Sequence, residues 1–274
     1  MPGTACGRRD DRRPVLTRLI PRALRRASSV EAPLPRATRP LFAVGDVHGM
    51  ADLLDTMIRR IGARIARERL DDATVVFLGD HIDRGPQSRE TLDLLLDAPV
   101  RLGVETVFLR GNHESFATRF LNDPAEPSRW LDWGGDTTVE SYGVDPQDYA
   151  PDPAGRIALA TAVTRAMGPA HLDFLNDRLV SRHDAWPHFF AHAGVDAARA
   201  PGEQTRQALI HGTRGFRQTG GWPGSLVVHG HTISDTPDFG PCRLGIDTGA
   251  YRSGRLTAAF FRGDAVEFIE AGDA

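Results

Sequence analysis

The chain lacks lysine altogether: all 33 of its basic residues are arginine. Arginine suits phosphate recognition because its planar fork grips two oxygens at once, but an absence running through 274 residues reads as a compositional habit, not as chemistry. Cysteine is nearly absent too. Cys6 and Cys242 form neither a disulfide framework nor a paired metal-ligand spacing, so a disulfide scaffold is excluded and a reducing, cytoplasmic setting is expected. No apolar stretch is long enough to span a membrane, and no apolar core of a secretory signal is present. What is there is ordinary for a soluble globular protein: 41% apolar and 25% charged residues, and enough length for one large domain or one domain with an insertion.

The net charge of −3 hides an asymmetry, since residues 1–40 hold ten arginines against three acids. Prolines 14, 21, 33, 35 and 40 break any long helix there. The segment reads as a disordered basic arm; a transit-like segment or an upstream extension are the other readings. The remainder, 41–274, is acidic, which disfavours a nucleic-acid groove and leaves no specific nucleic-acid partner expected.

From residue 41 the pattern alternates. A strand at 41–45 leads into a helical stretch whose Leu53, Leu54, Met57, Ile58, Ile61 and Ile65 recur at helical spacing. A strand at 73–80, a helix at 88–97, a strand at 104–114 and a short helix near 115–121 follow. This βαβαβ order predicts a parallel sheet in the first half. Residues 122–180 change character and predict a mostly helical insertion, with helices at 154–167 and 169–179. Strand-like runs return at 188–194, 225–232, 242–249, 255–261 and 265–270.

The first three strands end alike, in "GDVHG" (45–49), "GDHIDRG" (79–85) and "GNHE" (111–114). Ligands bind at the carboxyl ends of strands in open α/β sheets. Those ends carry Asp46, His48, Asp80, Asp83, Arg84, Asn112, His113 and Glu114; later runs add His192 in "AHAG" and His229 and His231 in "VHGHT". Carboxylates and neutral imidazoles together suit divalent metals such as manganese, iron or zinc. Two such ions, bridged by Asp80, would clamp an in-line phosphoryl displacement.

The series "GDVHG", "GDHIDRG", "GNHE", "HAG" and "GHT", in order, resembles that of the calcineurin-like metallophosphoesterases. It is most similar to the PPP-type serine/threonine phosphatases and their bacterial and phage relatives, over residues 41–262. The resemblance implies an αββα sandwich, two facing sheets with helices outside, and an open cleft at the strand ends. It implies Asp46 and His48 on one metal, Asp80 between the two, and Asn112, His192 and His231 on the other, with manganese the preferred ion. It implies His113 as general acid oriented by Asp83, and Arg84, with Asn112, on the substrate phosphate. The second phosphate arginine of that group falls to Arg214 with a one-residue slip, where His211 stands at a position commonly tryptophan. The implied reaction is hydrolysis of phosphoserine and phosphothreonine monoesters by a metal-bridging hydroxide, on a phosphoprotein or a small phosphoester. A dinucleoside polyphosphate hydrolase and an inactive metal-binding scaffold are the alternatives.

Plainer readings stand beside these. Asp46 and His48 could form a polar turn, and Asn112 a helix N-cap with Glu114 favouring the helix dipole. His192 could be a satisfied strand-end histidine. His229 and His231 would share a face of one strand. His81 either shapes the pocket or tolerates exposure. Trp130 and Trp133 read as core of the insertion, and Gly134-Gly135 as a tight turn before a lid hinge. His171, His183 and His188 carry no case for function.

Overall fold

Residues 34–272 are described by a computed structural model, and the expectation for residues 1–33 lies outside them. Strand β1 (Ala37–Val44) starts four residues before the position its apolar run predicts. Pro40 explains the difference. It cannot donate to a ladder, and it sits where the pairing of β1 with β9 shifts register between Ala37 and Leu41.

Helix α1 (Ala51–Glu68) buries Leu54, Met57, Ile58, Ile61 and Ile65, and stops at Arg69 in the left-handed conformation. Strand β2 (Thr74–Phe77) leads to α2 (Ser88–Leu102), which outlasts its predicted end. Pro99 removes one donor only in the last turn, and Gly103 at φ 67° closes the helix. Strand β3 (Glu105–Phe108) and α3 (Asn112–Asn122) complete the alternation.

The segment after α3 holds α4 (Gly135–Ser141) and α5 (Pro153–Asp173), with a π-helical turn at Phe174–Arg178. The two predicted helices meet at a break at Gly168 (φ 70°, ψ 174°), because the residue before a proline avoids the helical region.

Strands β4 (Arg182–Ala185) and β5 (His188–Ala191) come next, then the short helices α6 (Arg206–His211) and α7 (Phe216–Thr219). Strands β6 (Leu226–His229), β7 (Asp238–Gly240) and β8 (Arg243–Gly245), helix α8 (Ala250–Ser253), and strands β9 (Leu256–Gly263) and β10 (Ala265–Ala271) follow. The strands form two five-stranded sheets, β10-β9-β1-β2-β3 and β4-β5-β6-β8-β7. The βαβαβ half is parallel as expected, while β9 and β10 add to it antiparallel.

Period-two alternation sets the layers. Leu41, Ala43, Val76 and Leu78 face Phe190, Val228, Leu244 and Ile246 of the other sheet. Phe42, Val44, Val75 and Phe77 turn outward under α1 and α2. Phe189, Ala191 and Val227 turn the other way, under Leu209, Ile210 and Phe216 of α6 and α7. The result is the expected αββα sandwich. No helix among the described residues is long and apolar enough to cross a membrane.

Candidate metal centre and active-site cleft

Backbone strain marks the rim. Left-handed φ is uncommon outside glycine, and among the described residues seven non-glycines adopt it. Five of these are His48, Asp80, Asp83, Arg84 and His231, which lie at the predicted strand ends. Strain of this kind persists only where surrounding contacts over-determine it.

Glu114 supplies many of those contacts. It is fully buried, and its two oxygens accept the amides of Asp80 (3.0 Å), His81 (2.6 Å), Ile82 (3.3 Å) and Gly111 (2.8 Å). It ties the loop after β2 to the start of α3, a larger role than the helix-dipole reading gave it. Asp80 Oδ1 in turn accepts the amide of His113 at 3.0 Å.

The imidazoles then fall into place around Asp80. His48 Nδ1 lies 2.9 Å from the Ile82 carbonyl and His192 Nδ1 lies 2.9 Å from the Leu78 carbonyl. Carbonyls only accept, so each Nδ1 carries the hydrogen and each Nε2 keeps its lone pair. Those two Nε2 atoms face Asp80 Oδ2 at 3.5 Å and Oδ1 at 3.4 Å. Lone pair facing lone pair at that distance calls for a cation or a proton between them. His192 is also 3.0 Å from Asn112 Oδ1, and His231 Nδ1 is 2.9 Å from that same oxygen. Two groups with metal-binding spacing result, His48/Asp80/His113 and Asp80/His192/His231, and Asp80 belongs to both.

The donor set fits divalent cations on further grounds. Asp46, Asp80 and Asp247 are buried together, each at most 2% exposed, and such a concentration of carboxylates needs positive charge. Asp46 Oδ2 accepts the His231 amide at 2.8 Å, whereas its Oδ1 is buried with no hydrogen-bond partner among the described residues. A side chain on Gly230 would collide with that Oδ1. Burial, then the Asp247 carboxylate, pushes Asp46 well above the usual carboxylate range. Burial opposes charge on Asp80 as well, but His192, His113 and His48 outweigh it and hold Asp80 well below that range. Burial lowers His48 to about 3 and His231 to about 4. It opposes charge on His192 too, but Asp80 prevails and lifts that group to about 9, as a proton taking a cation's place would.

His231, not His229, reaches the site. The two do not share a face, as they could have on a longer strand, because β6 ends at His229 and His231, the residue assigned from the resemblance, lies beyond it at φ 64°. His229 turns toward Phe216, ring to ring at 5.1 Å, and packs over Gly245.

Beside the cluster opens a cleft of about 390 Å³, lined by Arg84, Asn112, His113, Phe116, Trp133, His211 and His231. His113 Nδ1 bonds Asp83 Oδ2 at 2.7 Å. Burial disfavours charge on His113, but Asp80 and that bond outweigh it and raise its pKa above the ordinary histidine value. Arg84 lies over the Tyr251 ring, 5.0 Å from its centroid, and donates to the phenol oxygen at 3.3 Å.

Several residues sit elsewhere than the sequence suggested. Trp133 is 40% exposed and on the cleft wall, its ring tilted against that of Phe116 at 4.5 Å, instead of in the core. Trp130 is core, but its indole donates to Asp83. His81 is fully buried against Phe108 and Phe174, so it does not tolerate exposure, and it is not among the residues lining the cleft. Arg214 is exposed and outside the cleft lining, while His211 lies in it. Gly134 at φ 103° forms the turn, its carbonyl accepting the Arg84 amide at 3.0 Å. Asp247 and Tyr251 were missed, although both lie in the run "GIDTGAY" after β8, where the strand-end rule applies.

Comparison with known proteins agrees with this geometry. The chain is similar to the serine/threonine-protein phosphatase PP2A-like PPG1 of Saccharomyces cerevisiae, 36% identical over 119 residues, 40% of this chain and 28% of that protein. It is similar to PP2A-like PPG1 of Candida albicans at 32% over 158 residues, 54% of this chain and 34% of that one. The matched region thus spans about a third or less of these curated relatives' length. Among solved structures, a Saccharomyces cerevisiae protein serine/threonine phosphatase with similarity to human phosphatase PP5 superposes with TM-score 0.53 at 13% identity, covering 86% of this chain and 80% of that one. A protein assigned as a diadenosine tetraphosphatase gives 0.55 at 20%, covering 88% and 97%. Both share the fold. Residues 39–235, which include all six expected metal ligands, match the calcineurin-like phosphoesterase family, and the chain belongs to it.

Proposed function

We propose that the chain is a metal-dependent phosphoesterase that hydrolyses phosphoserine and phosphothreonine monoesters. One observation carries the reading: the Nε2 atoms of His48 and His192 face the two oxygens of Asp80 while both Nδ1 atoms are committed to backbone carbonyls. That tautomer and orientation are what metal-binding histidines require. Asp46, His48 and Asp80 would hold one divalent cation, and Asp80, Asn112, His192 and His231 a second, with manganese preferred over iron or zinc. When bound, the cations supply the charge that acidifies a water molecule and offsets the phosphoryl oxygens.

The chain's own groups do the rest. Arg84 presents its fork to two phosphate oxygens, backed by Tyr251. Asn112 serves the same phosphate from its place between the two histidines. His113 protonates the leaving alkoxide through the nitrogen that Asp83 leaves free, and Asp83 holds the other nitrogen protonated and oriented. Arg84 is the arginine in the cleft lining. The choice of phosphoserine and phosphothreonine rests on the PP2A-like relatives.

A second reading, cleavage of dinucleoside polyphosphates, is favoured by the aromatic wall of Phe116, Trp133 and His211, whose mutually tilted rings offer a nucleobase apolar faces to pack against. The manganese-loaded chain should turn over a phosphoserine peptide faster than diadenosine tetraphosphate; the reverse order would establish the second reading. Asp80→Asn should lose bound metal and turnover together. Metal retained with no turnover of any phosphoester would reject both readings in favour of a binding scaffold.

A further inference from the structure

Asp83 is gripped from three sides. His113 Nδ1 and Trp130 Nε1 both donate to its Oδ2, at 2.7 and 2.8 Å, and the Thr138 hydroxyl donates to its Oδ1 at 2.6 Å. Thr138 Oγ1 also accepts the amide of Asp83 at 2.9 Å, and Ser88 Oγ lies 3.1 Å from that amide. The residue is fully buried and held at φ 71°. A carboxylate so bound can neither rotate nor exchange its oxygens.

Trp130 and Thr138 belong to none of the strand-end motifs. They come from the segment between α3 and β4, and neither lines the cleft. Trp130 is itself fixed, fully buried with its ring 5.3 Å from that of Phe120. Buried indoles do commonly find an acceptor, and a bond made only for that purpose would serve stability alone. The shared oxygen argues for more, because Trp130 and His113 use the same Oδ2 and the indole therefore sets the direction from which the imidazole is held.

We infer that Trp130 and Thr138 are positioning residues for proton delivery: they lock the plane of Asp83, and through it aim the free nitrogen of His113 at the leaving oxygen. The inference rests on the proposed phosphoesterase reading. A misplaced proton donor costs most when the leaving group is a strong base and nothing when it departs unaided.

The test uses the full-length, manganese-loaded chain and a series of phosphate monoesters from a phosphoserine peptide through phenyl phosphate to dinitrophenyl phosphate. Thr138→Val, which keeps the side chain's shape, and Trp130→Phe should each lose roughly tenfold or more in kcat on the phosphopeptide, the scale of a lost hydrogen bond to a charged group. Both should keep KM and manganese content, and match the unmodified chain on dinitrophenyl phosphate. Thr138→Ser, which restores the hydroxyl, should recover the loss. The Thr138 pair decides the matter if Trp130→Phe does not fold. Equal losses along the series, or a Thr138→Ser variant as slow as Thr138→Val, would overturn the inference and leave the phosphoesterase reading standing. No turnover of any ester by the unmodified chain would remove both.

Discussion

At the scale of the residue, the rim depends on side chains that never meet a metal. Glu114→Ala would leave the four amides of Asp80, His81, Ile82 and Gly111 buried without their acceptor. At about 1–3 kcal/mol for each unsatisfied donor, the loss should be on the order of 4 kcal/mol or more in urea unfolding. Manganese affinity should fall by roughly tenfold or more, as losses of outer hydrogen bonds to metal ligands do. An unfolding midpoint close to that of the unmodified chain would show that water replaces the carboxylate. The ligand candidates were legible in sequence because their chemistry is written in residue type: acids and imidazoles placed just after apolar runs. Glu114, Trp130, Asp247 and Tyr251 were not, because a supporting side chain is identified by what it touches. The choice between His229 and His231 shows the limit of a periodicity rule, which stops applying where the strand stops.

At the scale of the element, the segment between α3 and β4 is packed without clearance, against itself and against the loop after β2. A Cβ on Gly134 would lie 2.8 Å from Arg84 Cγ, and one on Gly135 would lie 2.5 Å from the Trp130 ring. Gly135→Ala should therefore displace Trp130, lower the melting temperature and slow phosphoserine turnover more than dinitrophenyl phosphate turnover. Gly143→Ala, at φ 76° where Gly135 is not at positive φ, and with nothing within 4 Å of its Cβ, is the control. It should lose stability through backbone strain alone and keep its rate on both esters. The long helix α5 of this segment could be read, and its break at Gly168 is where the proline that follows puts it, whereas the seven-residue α4 was too short to announce itself. Strands β4 and β7 could not be read either. They are polar edge strands of four and three residues, and edges carry charge in order to avoid pairing, so no hydrophobic alternation announces them.

At the scale of the molecule, both sheets contribute to one rim: Asp46, Asp80 and Asn112 follow β1, β2 and β3, while His192 and His231 follow β5 and β6. The upstream boundary can be tested directly. Removal of residues 1–33 should leave turnover and melting temperature unchanged. Removal of residues 1–40 also takes Ala37–Pro40 out of β1 and ends the pairing of Ala37 with Gly263. That should lower the melting temperature by about 2–4 °C, the change expected for roughly 1 kcal/mol in a domain of this size. Equal melting temperatures for the two truncations would place the working boundary at residue 41.

The position of β1 between β2 and β9 has a further consequence, for synthesis. The amide of Gly45, immediately before Asp46, is bound by the carbonyl of Thr257 in β9 at 3.0 Å. When β8 has been made, every expected ligand has been made too, but not the strand that seats the first of them. The seat of Asp46 should therefore be complete only once β9 is free to pair, and a chain ending before Leu256 should fail to hold divalent metal in a metal-content measurement.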